Sequence, residues 1–246
     1  CEAARVAAIR GHEVVLIDDG DRLGGQLKLA SQTPDFGEFA LVGEYYTAML
    51  KELGVTVRLG QTADKSSVVA EKPDVVVYAA GAVPASPPIK GVDRDNVMHA
   101  WDVLVGKPVP GQTVAVIGGG GTGCDVCLHL AKEGKKVVQL EMLEKMGHNI
   151  GPGTKWVIMQ CLNECGIEQI NAFAVKEITA DGIVGEVNCE QQTIAADTVI
   201  MAIGSRPNNE LAEELKDYQV VVIGDAKQPR KIVFAIHEGY EAARAI

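Results

Sequence analysis

The chain has 246 residues, 47% hydrophobic and 4% aromatic, with a formal net charge of −10. That length and composition suffice for one large or two smaller buried cores. The acidic balance argues against nucleic acid or an anionic membrane surface as partner, and no apolar run approaches a membrane span or a secretory signal.

In chain order, residues 2–10 predict a helix closed by Gly11, followed at once by a buried strand, Val14 to Ile17, ending in Asp18 and Asp19. A helix with no strand before it reads as the second half of a mononucleotide-binding unit. Its strand and glycine turn would precede Cys1, and on this reading the chain is a fragment. Asp18 then stands where an acid can meet a ribose; an ordinary solvated carboxylate fits the same place. Residues 21–27, DRLGGQL, turn on glycine. Phe39, Val42, Tyr46, Met49, Leu50 and Leu53 recur at helical spacing and predict an amphipathic helix over 38–53 with these residues in its core. Val55 to Leu59 predicts a strand. Residues 74–84 predict an apolar strand running through Gly81 into a proline-rich connection over 84–91.

Residues 113–142 organise the rest. An apolar β-branched run, Val114 to Ile117, enters a turn of Gly118, Gly119, Gly120, Gly121, Thr122 and Gly123. A helical pattern follows, Gly134 ends it, and a second strand, Lys136 to Leu140, leads to Glu141. Gly118 allows the tight turn, Gly120 lets backbone approach a pyrophosphate, and Gly123 lets helix pack on strand; free N–H groups and the helix dipole then face the phosphates. Glu141, about twenty residues on, can accept from ribose hydroxyls. Its charge would repel a 2′-phosphate, favouring NAD over NADP, a preference tempered by Lys135, Lys136 and Lys145.

Residues 152–165 predict a helix with Trp156, Val157, Met159 and Leu162 inward. Residues 173–200 alternate short strands and turns, with Asp181–Gly182 as a hairpin signal. Thr198 to Ile203 predicts an apolar strand ending in Gly204 and leading to Pro207. It echoes 75–84: buried strand, small residue, glycine, proline. Val220 to Ile223 predicts a strand, followed by Gly224–Asp225 and a helix over 232–246. The fold predicted is α/β, two nested Rossmann-like three-layer domains. Residues 1–107 and 205–246 would form an FAD-type domain, and residues 108–204 an inserted NAD-type domain.

The six cysteines, Cys1, Cys124, Cys127, Cys161, Cys165 and Cys189, do not form a secreted disulfide pattern. Reduced thiols and a cytoplasmic location are expected. Cys124 and Cys127 have redox-motif spacing but lie on the helix after the glycine turn, which reads as packing. Cys161 and Cys165 share a helix face and read as core, and neither pair supplies enough ligands for a metal. His99, with Trp101 and Asp102, reads as linker. His237 reads as a surface or capping residue that could approach a flavin. No general acid or base is named, because hydride transfer needs alignment and exclusion of water.

HEVVLIDDGDRLGGQL, the two strands ending in glycine, GGGGTG, GHNIGPGTKW and VVVIGDA before the last helix resemble the two-dinucleotide-binding flavoproteins. The nearest likeness is to the C-terminal FAD/NAD(P) portion of the NADH:flavin oxidoreductase family, the group of 2,4-dienoyl-CoA reductase, 2-enoate reductase and trimethylamine dehydrogenase. The resemblance covers essentially the whole chain. It implies that Asp18 is similar to the acid holding the FAD ribose, where the family more often has Glu. Gly24, Gly25 and Gln26 would line FAD, with Gly81 and Gly204 close to the cofactors and Gly224 and Asp225 at the ribityl and phosphate. Gly118, Gly120, Gly121, Thr122, Gly123 and Glu141 would form the NAD(P)H site. It implies electron flow from NADH through FAD to a partner barrel domain carrying FMN and a 4Fe–4S cluster, neither of which this chain would hold. The first FAD glycine turn is also lacking, which puts FAD retention in doubt. The rival readings are a disulfide reductase using Cys124 and Cys127, and a non-catalytic nucleotide-binding module.

Overall fold

The structure, a computed structural model, describes residues 1–32 and 37–246. The chain divides into two compact units: Cys1–Ser31, the described part of 35–83 and Ser205–Ile246 form the outer one, and Pro84–Gly204 the inserted one. Among the described residues no helix is long and apolar enough to cross a membrane.

The inserted unit is built on a five-stranded sheet, ordered Val97–His99, Thr198–Met201, Thr113–Ile117, Lys136–Leu140 and Glu168–Ile170. Every pairing in it is parallel. A parallel sheet covered on both faces needs continuous apolar strands rather than alternating ones. The runs VAVI and TVIM meet that demand: Val114, Ala115, Val116, Val199 and Ile200 are at most 1% exposed. Helices Gly121–Lys132 and Pro152–Glu164 follow the central strands. An antiparallel sheet of Ala174–Thr179, Gly182–Val187 and Glu190–Ala195 adds Ile178 and Ile183, with Phe173 just before it, to a core shared with Leu140, Val199 and Met201. Each such buried side chain contributes roughly 1.5–3 kcal/mol.

Three expectations need correction here. Trp156 is 65% exposed and Val157 43%, while Leu162 is buried. At 3.6 residues per turn Trp156 lies six positions from Leu162, on the far side of the helix. Cys165 is exposed and Cys161 half-buried, so this pair is not core. Residues 84–107 belong with the inserted unit, so its first boundary falls at 83/84 instead of 107/108. The cause is the Val97–His99 strand, which forms the sheet edge beside Thr198–Met201, with Ala100 and Val103 buried behind it. Three residues are too few to show periodicity in sequence.

The outer unit holds two parallel ladders, Val15–Ile17 with Thr56–Arg58 and Val75–Tyr78 with Gln219–Val222. Val15–Ile17 and Val75–Tyr78 are mostly half-buried, where the sequence predicted buried strands. Helix Ala40–Glu52 buries Gly43, Tyr46 and Leu50, whereas Phe39, expected in the core, is 38% exposed. Leu50 joins Ala4, Leu23 and Val55 in one cluster. Helix Glu2–Ile9 packs Val6 and Ala7 against Ala243 of helix Ile232–Ala245. The internal echo becomes a physical pair: Ala82–Pro84 and Ser205–Pro207 form a two-stranded ladder. Gly81 and Gly204 both have positive φ, +73° and +94°, immediately before it.

Candidate dinucleotide sites

The glycine turn of the inserted unit sits between the end of strand Thr113–Ile117 and helix Gly121–Lys132, whose N-cap is Gly120. Gly118 has φ +124°, and a Cβ there would be driven into the Ala202 carbonyl. A Cβ at Gly123 would be driven into the Gly118 carbonyl, so the helix can lie this close to the turn only with glycine. The N–H groups of Gly120, Thr122 and Gly123 find no partner among the described residues. Unsatisfied N–H groups at a helix start are what a phosphate requires.

Glu141 follows strand Lys136–Leu140 and is 5% exposed. One carboxylate oxygen accepts the Gly119 N–H at 2.6 Å and the other the Leu143 N–H at 2.8 Å. The carboxylate thus braces the turn and keeps a lone pair on each oxygen. Lys135 donates to the carbonyls of Val109 and Gly111 (2.8 and 2.6 Å), and Lys136 begins the strand that Glu141 follows. Both therefore lie at the opposite sheet end from Glu141, about 15 Å along the strand. The third lysine expected to temper NAD preference, Lys145, is exposed in the loop after Glu141.

Sequence reasoning missed two residues here. Gln139 is fully buried in the strand leading to Glu141; its amide donates to Gly118 O at 3.1 Å and accepts from Gln169 at 3.1 Å. Asn149, in the loop after Glu141, accepts the Gly121 N–H through Oδ1 at 3.0 Å. A polar residue inside an apolar strand pattern was the available signal for Gln139; Asn149 had none beyond its loop.

In the outer unit, Asp18 follows strand Val15–Ile17 and accepts the Gly20 N–H at 2.8 Å. Gly24 and Gly25 take φ of +119° and +52°. Helix residue Gly43 presses on this loop: a Cβ there would stand 2.6 Å from the Leu23 carbonyl oxygen. Gln26 donates to Asp225 at 2.9 Å across 199 residues of sequence, and the other Asp225 oxygen accepts the Arg230 N–H at 3.1 Å. Gly224, with φ +61°, donates its N–H to Glu238 at 2.7 Å, and Glu238 also pairs with Arg230. Arg230, aided by the Gly224 N–H, holds the Glu238 carboxyl below its usual value against the opposing effect of burial. Gln26, Gly224 and Asp225, read as cofactor-lining residues, are thus brought together. Gly81 and Gly204 accept the N–H groups of Asn208 and Ala85, each at 3.0 Å.

Residues 1–224 match the family described as pyridine nucleotide-disulphide oxidoreductase. The chain belongs to this family. The NADH oxidase of Thermoanaerobacter brockii is 39% identical over 251 residues, covering 98% of this chain and 38% of that protein. The bilirubin reductase of Mediterraneibacter gnavus is 38% identical over 248 residues, covering 100% of this chain and 39% of that protein. The structure of 2-naphthoyl-CoA reductase with 2-naphthoyl-CoA superposes with a TM-score of 0.94 at 32% identity, over 100% of this chain and 38% of that one. The chain therefore spans about two fifths of the length of the relatives it matches. Its fold is the α/β fold of the two-dinucleotide-binding flavoproteins, which supports binding of FAD and NAD(P).

The family's name raises the question of a redox disulfide. Cys124 and Cys127 are both free and fully buried on the glycine-turn helix. Burial pushes the Cys127 thiol well up, and it raises Cys124 against the hydrogen bond from Gln139. A nucleophilic thiolate needs the opposite environment. The pair is packing, as the sequence suggested. No cluster of His, Cys, Asp or Glu able to hold a metal occurs among the described residues. His237 is exposed on the last helix. His99 contacts Ser86 at 3.4 Å and caps the short helix after it through its N–H to Asp102, at 3.1 Å.

Proposed function

We propose that this chain is the NADH-accepting module of a 2-enoate-reductase-like oxidoreductase, one that feeds electrons through FAD to a partner domain carrying FMN and a 4Fe–4S cluster. The observation that carries this reading is the open phosphate cradle: a glycine turn with three unpartnered N–H groups, braced by the Glu141 carboxylate. NADH is the preferred donor because Glu141 faces the turn and the nearby strand lysines lie at the far sheet end. The inserted unit would bind it through Gly118, Gly120, Gly121, Thr122, Gly123 and Glu141. The outer unit would hold the flavin through Asp18, Gly24, Gly25, Gln26, Gly224 and Asp225, with Gly81 and Gly204 at the strand ends. When bound, FAD supplies a two-electron acceptor. The residues' work is to bind, align and exclude water, since hydride transfer needs alignment more than a proton donor. A cytoplasmic location fits this use of NADH.

The test is anaerobic addition of NADH to the full chain supplemented with FAD, followed at the flavin absorbance band. Stoichiometric bleaching, lost in Gly120→Val, is expected. NADH that binds without bleaching would leave only a nucleotide-binding module, and no binding at all would refute the reading.

A further inference from the structure

We propose that Lys155 is the cation that receives the diphosphate of the nicotinamide dinucleotide, at the position Asn149 now fills. This rests on the reading of 118–123 as the dinucleotide site and adds a residue to it. Lys155 lies in the first turn of helix Pro152–Glu164, its N–H bonded to Gly151 O at 3.0 Å. Its side-chain stem passes Gly147, where a Cβ would stand 3.2 Å from the Lys155 Cε. Gly147 in turn donates its N–H to Gly119 O at 2.6 Å, which ties this loop to the phosphate turn. Burial and the Gln139 hydrogen bond dominate at the Cys124 thiol, in the first turn of the glycine-turn helix, and the lysine's charge is a minor influence there.

Two features of Lys155 are unfavourable as they stand. A cation near a helix N-terminus opposes the helix dipole. The chain carries 33 acidic residues against 23 basic ones, yet Lys155 has no ion-pair partner among the described residues. Lys155 is half-buried with its stem against Gly147, and an unpaired ammonium in such a place is stabilised by an anion. Asn149 marks where that anion sits. Its Oδ1 already accepts the Gly121 N–H, and its amide lies 3.1–3.2 Å from where a Gly120 Cβ would be. A neutral amide oxygen therefore occupies the place of a phosphate oxygen, over the glycine that lets backbone approach it. The arriving diphosphate displaces this amide and meets Gly121, the unpartnered N–H groups and Lys155 together.

The experiment is calorimetric titration of the full chain with NADH at low and high salt, in wild type, Lys155→Gln, Lys155→Arg and Gly120→Val. The expected result is about a tenfold rise in Kd for Lys155→Gln. Its salt dependence should be shallower, because one phosphate-facing charge is gone, and Lys155→Arg should restore both. Lys155→Gln that binds as wild type does, or that keeps the wild-type salt dependence, would overturn the proposal. So would wild-type binding indifferent to salt, a readout independent of whether any variant folds. Affinity retained in Gly120→Val would instead overturn the site itself; affinity lost there but kept in Lys155→Gln would remove Lys155 alone.

Discussion

In the inserted unit the cradle is made of backbone laid over a dry sheet: Val114 to Val116 are at most 1% exposed, and no side chain fits at Gly118 or Gly123. In the outer unit the strands are half-buried, and a few polar bonds hold the loops: Gln26 to Asp225 across the chain, and Arg230 to Asp225 and Gly224 to Glu238 within its last segment. The first arrangement fixes geometry by volume, the second by charge and hydrogen bonding. The inserted unit should therefore fail when atoms are added, and the outer unit when polar partners or protons change.

The largest effect is expected at Gly123→Ala. The added methyl meets the Gly118 carbonyl, which is backbone and cannot be moved aside by a rotamer. Loss of about 3 kcal/mol of stability and of NADH binding should appear in thermal unfolding and in NADH titration. Glu141→Gln comes next. It keeps the volume but leaves one of two buried N–H groups facing an NH2, costing about 2 kcal/mol. The measured ratio of NADH to NADPH affinity should fall, because the charge that repels a 2′-phosphate is gone.

Asp225→Ala should cost about 1 kcal/mol, since Gln26 and the Arg230 N–H can turn to water. Flavin affinity should weaken while NADH affinity stays unchanged; coupled loss of both would break the contrast between the units. The smallest effect is at Glu238. Its carboxyl pKa lies below the ordinary 4.5 in the folded chain, chiefly through Arg230. A depressed folded pKa gives stabilisation that is complete above the unfolded value and lost as pH falls through the folded one. The unfolding midpoint should drop below about pH 4.5 in wild type, and the slope should flatten in Glu238→Gln. The shift should be small because the pair is open to solvent.

The residues that sequence made legible are those whose role is local. The run from Val114 to Glu141 declares strand, turn, helix and acid within thirty positions because each piece obeys its own period or backbone rule. Asp181–Gly182 announces its hairpin the same way, and Gly182 has φ +141°. What stayed hidden depends on packing across the chain. Trp156 looks like core by composition and is exposed because its helix turns Leu162 inward. The Val97–His99 strand is defined by its neighbour Thr198–Met201, a hundred residues away. Asn149 and Gln139 are ordinary polar residues in sequence; only the approach of their loop and strand to Gly118–Gly121 gives them work.

The most direct test of the cradle is an amide NMR titration of the labelled chain with NADH. The account predicts that the signals of Gly120, Gly121, Thr122 and Gly123 move first and furthest, with those of Gly24, Gln26 and Asp225 unchanged. Shifts confined to the outer unit, or a glycine turn indifferent to saturating NADH, would contradict it.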